Sequence, residues 1–199
     1  MAVMKIAVSA VQGDFQEHEK VFEELGAECV ELRKKEDVDG DYDALVLPGG
    51  ESTVQGKLLR ELGMFEGLKK RIEAGIPVFA TCAGLILLAE ELENDERRYF
   101  RTLPVRVRRN AYGRQLGSFF VRGGMKYVGE IPMTFIRAPY IEEAGNNTEV
   151  LAETDGRITA VRSGNQLAMS FHPELDPDRK IYKYFLNDFM SSGEPHNRS

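Results

Sequence analysis

Short β-rich segments alternate with helical patterns through the N-terminal half of the chain, and this alternation limits the folds open to it. Compact apolar runs typical of buried strands occur at 3–10, 27–32, 43–47 and 76–80. After Asp14, which suits a helix N-cap, the apolar residues Val21, Phe22 and Leu25 recur at helical spacing. Such an alternation predicts βαβ units, so we expect an α/β fold with a mostly parallel central sheet flanked by helices.

The rest of the chain adds helices and then further strands. Helices are predicted at 58–62, 65–74 and 83–92. The second half is richer in β-type runs, at 134–138, 149–153, 158–161 and 167–171, so we expect some antiparallel strands there. A closing helix places Ile181, Tyr184, Phe185 and Phe189 on one face, and a polar segment follows it. These patterns predict one domain at 1–190 and a polar, disordered tail at 191–199.

Charge and cysteine content argue against several classes of protein. Of the 199 residues, 32 are acidic and 26 basic, for a formal charge of −6, so no overall field favours nucleic acid or an anionic membrane. The most basic stretch, 97–114, is interpreted as a solvated strand face. Cys29 and Cys82 cannot form a disulfide framework and match no zinc spacing. With no signal-peptide pattern and no apolar run near the roughly 20 residues that span a bilayer, we expect a cytoplasmic protein.

Cys82 lies where an open α/β sheet places chemistry. It comes between the apolar run at 76–80 and the helix predicted at 83–92, so its thiol is expected at the carboxyl edge of the sheet and at a helix N-terminus. The positive end of a helix dipole favours the thiolate, the nucleophilic form of cysteine. The small residues of Ala80-Thr81-Cys82-Ala83-Gly84 suit a nucleophile elbow. The alternative is a small buried hydrophobe, which is our interpretation of Cys29.

A nucleophilic cysteine needs a base, and the sequence F-H-P-E at 171–174 follows the last predicted strand. His172 should reach the same edge of the sheet as the cysteine, whereas His18 lies within the first helix and His196 in the polar tail. Glu174, two residues on, points the same way as the imidazole in an extended chain and can accept its N–H. A surface turn is the alternative for this segment by itself. Together with the elbow, it predicts a Cys-His-Glu catalytic triad.

A glycine-rich turn, Pro48-Gly49-Gly50-Glu51-Ser52, follows another predicted strand. Hydrolysis of an amide by a thiolate needs donors for the oxyanion of the tetrahedral intermediate, and backbone N–H groups supply them without charge. We expect this oxyanion hole on Gly50 and Ala83, the second because it follows the nucleophile. A phosphate-binding loop is the alternative, but the turn lacks the lysine of a P-loop and the G-x-G-x-x-G spacing.

Together these segments resemble the class I, triad-type glutamine amidotransferase family, in which Cys, His and Glu hydrolyse glutamine and release ammonia to a partner. The resemblance runs from about Lys5 to Phe189 and implies a flavodoxin-like α/β fold. Other segments resemble the vitamin B6 branch, the glutaminase subunits of pyridoxal 5′-phosphate synthases. They include P-G-G-E-S-T at 48–53, R-N-A-Y-G-R-Q at 109–115 and F-I-R-A-P at 135–139. One departure is Ala80, where that branch usually has glycine; its methyl group is tolerated if φ is negative.

The resemblance implies a site for L-glutamine and no metal or organic cofactor. The positions that match the family's substrate contacts are Gly50, Glu51, Ser52, Arg109, Ile136 and Arg137. An arginine can bind the α-carboxylate of an amino acid through two parallel hydrogen bonds. From the residue chemistry alone, an ion pair at the surface or with Glu51 is the alternative for Arg109 and Arg137.

The resemblance also implies a protein partner, a separate synthase subunit that uses the ammonia to build pyridoxal 5′-phosphate. Gln12, Gly13 and the helix that carries Glu17 and His18 match the family's docking edge, the alternative being a strand end and a solvated helix face. A related cysteine hydrolase or a chaperone-like protein would need only the elbow. A non-catalytic scaffold would have lost part of the triad, and the nearest rival is a glutaminase that serves imidazole glycerol phosphate or purine synthesis.

Overall fold

A ten-stranded sheet runs through the molecule, of which the computed structural model describes residues 3–93, 95–109 and 117–192. The strands are β1 (Lys5–Ser9), β2 (Glu28–Leu32), β3 (Ala44–Leu47), β4 (Val78–Thr81), β5 (Ala89–Leu92), β6 (Leu103–Arg108), β7 (Ser118–Met125), β8 (Gly129–Ile136), β9 (Tyr140–Ala144), β10 (Glu149–Thr154), β11 (Arg157–Ser163) and β12 (Gln166–Met169). The helices are α1 (Phe15–Glu24), α2 (Ser52–Glu61), α3 (Phe65–Glu73), α4 (Ala83–Leu88), α5 (Lys180–Tyr184) and α6 (Met190–Ser192). Short 3₁₀ turns form at Lys35–Asp39 and Pro173–Leu175, and a π-helical turn at Phe185–Phe189.

The sheet is parallel on one side and largely antiparallel on the other. Strands β2, β1, β3, β4 and β12 lie side by side and parallel. Next to β12, the strands β11, β9 and β6 follow in antiparallel pairs, β5 closes that edge parallel to β6, and β10 pairs with β11. Strands β7 and β8 form a separate antiparallel hairpin. The predicted α/β fold, mostly parallel with antiparallel strands in the second half, is confirmed.

Apolar clusters cover both faces of the parallel strands. Along β3, Leu45 and Leu47 belong to one cluster with Leu59 of α2, whereas Val46 belongs to the other with Phe22 of α1. All four residues of this strand are buried, so its sequence is a continuous apolar run instead of an alternating one. Because both faces of these strands are covered, the loops at the strand ends are the part of the sheet left to carry a site.

Two helix boundaries differ from the predictions for local reasons. Helix α2 begins at Ser52 instead of at 58, because the carboxylate of Glu51 accepts hydrogen bonds from the backbone N–H groups of Thr53 and Val54 and caps the helix. The helix predicted at 83–92 ends at Leu88, and the chain continues as β5. A short apolar run fits either a helix or a strand, and here pairing with β6 selects the strand.

The second half also contains β6, which lies in the basic stretch interpreted as a strand face, and two strands that the sequence did not predict, β7 and β9. Arg106 and Arg108 project from β6 and pair with Glu142 and Glu143 on β9, so this part of the basic stretch is the solvated strand face expected. Cys29 is half-buried in β2, and burial raises the pKa of its thiol to about 12. A thiol held protonated in this way is inert, as expected for a structural cysteine.

The C-terminal boundary stays a prediction. Ser191 and Ser192 complete the short helix α6, although they were assigned to the polar tail, and the rest of that tail, 193–199, lies outside the described residues. Within the described ranges, no helix is both long enough and apolar enough to cross a bilayer.

The contact between α4 and β3 gives a prediction about stability. A Cβ atom on Gly84 would lie 2.1 Å from the carbonyl oxygen of Leu47. Because that oxygen belongs to the backbone, Gly84→Ala should push α4 away from β3 and lower the free energy of unfolding by about 1–3 kcal/mol, measured by urea unfolding. The matched control is Gly124→Ala in β7, where an added Cβ meets no atom within 4 Å. Equal unfolding midpoints for the two variants would contradict this packing.

Candidate active site

Cys82 occupies a sharp turn directly after β4 and is the N-cap of α4. Its backbone angles are φ 47° and ψ −100°, a region that non-glycine residues rarely adopt. The N–H of Cys82 donates to the carbonyl oxygen of Met169 at 2.8 Å, and its own carbonyl accepts from the N–H of Ile86 at 3.2 Å. Bonds to a neighbouring strand and to the following helix thus hold the strained turn that was expected of a nucleophile elbow.

Ala80 does not disturb this turn. It is fully buried inside β4, where it pairs with Leu47 on one side and Ala168 on the other. Among the described residues, positive φ in this segment falls on Cys82 and not on Ala80. The methyl group that departs from the family pattern is therefore accommodated in regular strand geometry.

His172 follows β12, and its Nδ1 lies 2.6 Å from Oε1 of Glu174. Glu174 does not reach the imidazole from an extended chain, as the sequence suggested, but from the 3₁₀ turn that begins at Pro173. The backbone N–H of His172 donates to the carbonyl oxygen of Thr134 at 2.8 Å, which ties the segment to β8. Both side chains are nearly or fully buried. The short contact with Glu174 and the backbone hydrogen bond to β8 fix the orientation of the imidazole.

Asp14 is a second carboxylate at the same imidazole, and the sequence did not predict it. Its Oδ2 lies 3.5 Å from Nδ1 of His172, and its side chain makes no capping hydrogen bond to α1. The hydrogen bond with His172 outweighs burial and lowers the pKa of Asp14. The residue was interpreted as an ordinary N-cap, and only the approach of α1 to the end of β12 reveals the contact.

The charges around His172 favour its protonated form. Burial opposes that charge, but hydrogen bonds with Asp14, Cys82 and Glu174 outweigh it and raise the pKa of His172 to about 12. Since Nδ1 faces the carboxylates, Nε2 is the nitrogen left for the sulfur, and it is buried without another hydrogen-bond partner in the described part of the chain. An imidazolium beside a cysteine favours the thiolate.

Asp14, His172 and Glu174 are also residue types that can bind a metal ion. Atoms of Asp14, His172 and Glu174 lie within 4.8 Å of one another, a spacing that could hold a cation. A protonated His172 already supplies positive charge between the two carboxylates, so the hydrogen bonds account for the cluster.

The turn after β3 packs directly on the imidazole. A Cβ atom on Gly49 would lie 2.5 Å from Cε1 of His172, so only glycine leaves room for the ring. The side-chain amide of Gln55 donates to the carbonyl oxygens of Gln12, Pro48 and Gly49 at 3.0, 3.2 and 3.3 Å. Gln55 is buried and holds the turn against the strand ends, a role for which the sequence offered no signal.

The two residues predicted to supply the oxyanion donors lie in different turns, Ala83 directly after Cys82 and Gly50 in the turn after β3. Ala83 is the first residue of α4, so its N–H has no carbonyl within the helix to receive it. Gly50 adopts φ 148°, and a Cβ there would lie 2.5 Å from Oε1 of Gln12. The same amide oxygen accepts from the N–H of Glu51 at 2.9 Å. The turn therefore has the close packing that glycine permits.

Arg109 lies next to the predicted substrate loop. Its guanidinium donates to Oε1 of Glu51 at 3.3 Å and to Oδ2 of Asp95 at 3.0 Å. This is the ion pair with Glu51 that sequence reasoning weighed as the alternative. Asp95 also binds Arg97, and these hydrogen bonds hold the pKa of Asp95 well below its usual range. Asp95 thus orients Arg109 toward the loop. In the sequence, the signal for Asp95 was its position next to the basic stretch.

The other predicted substrate residues lie around these elements. Ser52 is the first residue of α2, and its hydroxyl is buried with no hydrogen-bond partner among the described residues. Ile136 ends β8 and is 38 % exposed, and Arg137 follows with φ 43°. Their contact with a substrate stays a prediction. Asn110 to Gln115, the rest of the R-N-A-Y-G-R-Q segment, lie outside the described residues.

His18 is not where the docking-edge interpretation placed it. The residue is fully buried on the inner face of α1, so it forms neither a solvated helix face nor an accessible edge. Its Nε2 lies 3.2 Å from Oγ1 of Thr81 and 3.6 Å from Oε2 of Glu174, and its Nδ1 lies 2.9 Å from the hydroxyl of Tyr182. The helical apolar spacing around it was the signal that could have predicted this burial.

An α/β sheet with a cysteine elbow and a histidine–carboxylate pair at one edge is the arrangement of a class of cysteine hydrolases. Solved structures with the same fold indicate which members of that class the chain resembles. A crystal structure described as a glutamine amidotransferase superposes with a TM-score of 0.87 at 43% identity, over 94% of this chain and 98% of the other. The structure of PurLQS from Thermotoga maritima shares the fold alone, with a TM-score of 0.68 at 16% identity over 94% of this chain and 99% of the other.

Sequence comparison then identifies the family. The model of the SNO glutamine amidotransferase family matches residues 8–191, and the chain belongs to that family. A relative from Desulfitobacterium hafniense (strain DSM 10664 / DCB-2), named pyridoxal 5′-phosphate synthase subunit PdxT, is 61% identical over 96% of each chain. A relative of the same name from Haemophilus influenzae (strain PittEE) is 50% identical over 92% of this chain and 97% of its own.

The raised pKa of His172 predicts a pH dependence of stability. The imidazole titrates at its ordinary 6.5 when unfolded and at about 12 when folded, so its contribution is complete below pH 6.5 and is lost as pH rises through the folded pKa. Between these two pKa values the imidazole is protonated in the folded state and neutral in the unfolded state, so its contribution to stability falls as pH rises. Because a thiolate at Cys82 would offset the proton held by the imidazole, the comparison is made in a Cys82→Ala background. There the difference in unfolding free energy between the parent and His172→Gln, measured in urea, should shrink from about pH 7 to about pH 9.

The control for this pH series is Arg106→Gln, which removes an exposed arginine of β6 that pairs with Glu143. Its difference from the parent should be constant across the series. A constant or growing difference for His172→Gln would show that the folded imidazole is neutral.

Proposed function

We propose that the chain hydrolyses L-glutamine to L-glutamate and ammonia with Cys82 as nucleophile, His172 as acid and base, and Glu174 as the residue that orients the imidazole. The observation that carries the proposal is the triad geometry. A cysteine with positive φ caps a helix beside a buried imidazole, whose other nitrogen lies 2.6 Å from a carboxylate. Membership of a glutamine amidotransferase family supports glutamine as the substrate.

Acylation begins from the thiolate–imidazolium pair that the charges favour. The sulfur of Cys82 attacks the side-chain carbonyl carbon of glutamine, and the N–H groups of Gly50 and Ala83 stabilise the resulting oxyanion. The imidazolium of His172 gives its Nε2 proton to the departing nitrogen, which leaves as ammonia. The products of this half are a glutamyl thioester and a neutral imidazole.

Deacylation uses the same groups in reverse. Neutral His172 takes a proton from water at Nε2, and the hydroxide attacks the thioester carbonyl. The second tetrahedral intermediate collapses, Cys82 leaves as a thiolate, and glutamate departs. Throughout both halves Glu174 holds Nδ1, so the imidazole keeps the orientation that presents Nε2 to the sulfur and to water. Neither half needs a metal or an organic cofactor.

Glutamine recognition follows from the charges of the loop. Arg109 binds the α-carboxylate and Glu51 accepts the α-ammonium, since the two side chains already lie 3.3 Å apart with opposite charges. The remaining predicted contacts are those of Gly50, Ser52, Ile136 and Arg137. The ammonia passes to a separate synthase subunit that forms pyridoxal 5′-phosphate, as the names of the relatives suggest. The free Cys29 and Cys82 suit a reducing cytoplasm, and neither nucleic acid nor a membrane has a role.

Glutamate release tests the site and the partner together. Wild type and Cys82→Ala are assayed on glutamine with and without a pyridoxal 5′-phosphate synthase subunit. Activity should appear with the partner and fall in Cys82→Ala by about 10³-fold or more, because the covalent intermediate can no longer form. Cys29→Ala is the matched control and should keep wild-type activity.

The outcomes separate the alternatives. Activity that survives Cys82→Ala contradicts the nucleophile. A wild type that stays inactive with this partner overturns the pathway assignment and favours a glutaminase for another synthase, or a scaffold. Loss of activity in both cysteine variants would point to a general effect on the fold.

Arg109 gives a prediction about substrate affinity. Arg109→Gln should raise KM for glutamine by about 10- to 100-fold, with a smaller change in kcat, because it removes a charge-assisted pair to the α-carboxylate far from the scissile amide. Steady-state glutamate release with the partner present measures both constants. Arg106→Gln, an exposed arginine of β6 paired with Glu143, is the control and should leave KM unchanged. An unchanged KM in Arg109→Gln would contradict the assignment of Arg109 to the α-carboxylate of glutamine.

A further inference from the structure

His18 is a buried titratable residue for which the hydrolysis described above has no use. Its side chain is fully inaccessible, although both ring nitrogens are polar. It lies behind the triad instead of in it, with Nε2 facing Thr81 and Glu174 and Nδ1 facing Tyr182. Ring contacts to Phe79 and Tyr182 at 5.8 and 6.0 Å complete its surroundings. A buried polar ring of this kind needs defined donors and acceptors.

The neighbours of His18 select one tautomer. Oε2 of Glu174, 3.6 Å from Nε2, belongs to a carboxylate and can only accept, so a hydrogen on Nε2 is favoured over a lone pair. Nδ1 is then the acceptor, and the hydroxyl of Tyr182 at 2.9 Å donates to it. Burial raises the pKa of Tyr182 well above its usual range, so that hydroxyl keeps its proton. Burial also lowers the pKa of His18, which makes it a neutral donor.

The two oxygens of Glu174 face two different histidines. Oε1 holds His172 at 2.6 Å, while Oε2 is buried and has no full hydrogen bond in the described part of the chain. The Nε2–H of His18 is the ring donor that faces this second oxygen, and it also reaches the hydroxyl of Thr81 at 3.2 Å. Without this donor nearby, the buried carboxylate oxygen would be less well stabilised, and a rotation of the carboxylate could relieve that cost.

We propose that His18 is a positioning residue of the triad, whose Nε2–H links Thr81, the residue before the nucleophile, to the second oxygen of Glu174. Through this link the carboxylate keeps the rotamer that holds His172, and the nucleophile turn and the carboxylate are held by one ring. The proposal deepens the proposed glutamine hydrolysis and rests on it for its kinetic readout. A packing role alone would require the shape of the ring but not its N–H.

Substitutions at His18 distinguish a donor from a packing residue. His18→Leu keeps an apolar side chain and removes the donor, so kcat for glutamate release with the synthase subunit should fall by about 10- to 100-fold at nearly constant KM. His18→Gln returns an amide N–H to the same region and should recover most of that loss. Tyr182→Phe removes only the hydroxyl that selects the tautomer and should give a smaller decrease in kcat.

The matched control is Phe22→Leu, a fully buried residue of the same helix whose ring packs on Tyr182 and Phe79 and carries no hydrogen-bond donor. It should lower the free energy of unfolding without lowering kcat at a temperature where the variant is folded. An equal loss of kcat in Phe22→Leu, or a failure of His18→Gln to exceed His18→Leu, would reduce His18 to a packing residue. If His18→Leu does not fold, Tyr182→Phe and Thr81→Val, which each remove one hydrogen-bond partner of His18, are compared with Phe22→Leu instead. A decrease in kcat in these two variants but not in Phe22→Leu supports the positioning role, and no decrease contradicts it.

A spectroscopic readout separates this proposal from the glutaminase assignment. The hydrogen between Nδ1 of His172 and Glu174 should give a downfield proton resonance in wild type, because the contact is short and charge-assisted. The resonance should persist in His18→Gln and broaden or vanish in His18→Leu. If this pattern holds while no variant hydrolyses glutamine, the positioning role stands and the proposed function fails. A resonance that is unchanged in His18→Leu overturns the positioning role whatever the kinetics.

Discussion

The buried contact between His172 and Glu174 is the interaction on which the architecture of the site depends. A carboxylate with no exposed surface is stable only beside a positive charge or several donors, and His172 provides the charge at 2.6 Å. Asp14 adds a second, partly exposed carboxylate on the same nitrogen. Two negative groups around one imidazole explain why the cation persists despite burial.

The loops fit around this contact with little room for variation. Gly49 lies against the imidazole so closely that a methyl group would overlap it, and Gln55 fixes the same turn through three carbonyl oxygens. On the other side, Gly84 lets α4 approach the end of β3, which brings the elbow up to the turn. Site geometry therefore follows from backbone packing at the ends of the parallel strands, where side-chain size is the controlling variable.

The sequence predicted the parts of this arrangement that are local. Strand–turn–helix patterning placed Cys82, and the short segment after a strand placed His172 and Glu174, because each signal lies within a few residues. It did not predict contacts between segments far apart in the chain. Asp14 was taken for a helix cap and His18 for a docking residue, since nothing local indicates that α1 packs against the end of β12. Strand β9 was also missed, because its five residues include two adjacent glutamates, Glu142 and Glu143, which obscure the strand pattern.

The pair formed by Arg109 and Glu51 has a consequence for selectivity. The two side chains are partly exposed, so their mutual attraction is worth at most about 1 kcal/mol, and separating them costs little. A zwitterion that places its carboxylate at Arg109 and its ammonium at Glu51 gives each of the two side chains a new partner of opposite charge. A ligand with only one of those charges leaves the other side chain unpaired. Because Glu51 also caps α2 through Thr53 and Val54, its carboxylate cannot turn away to escape that penalty without uncapping the helix. If the loop holds glutamine as proposed, it would select its ligand by the charges that a wrong ligand leaves unpaired, which is how polar sites exclude near relatives of their substrate.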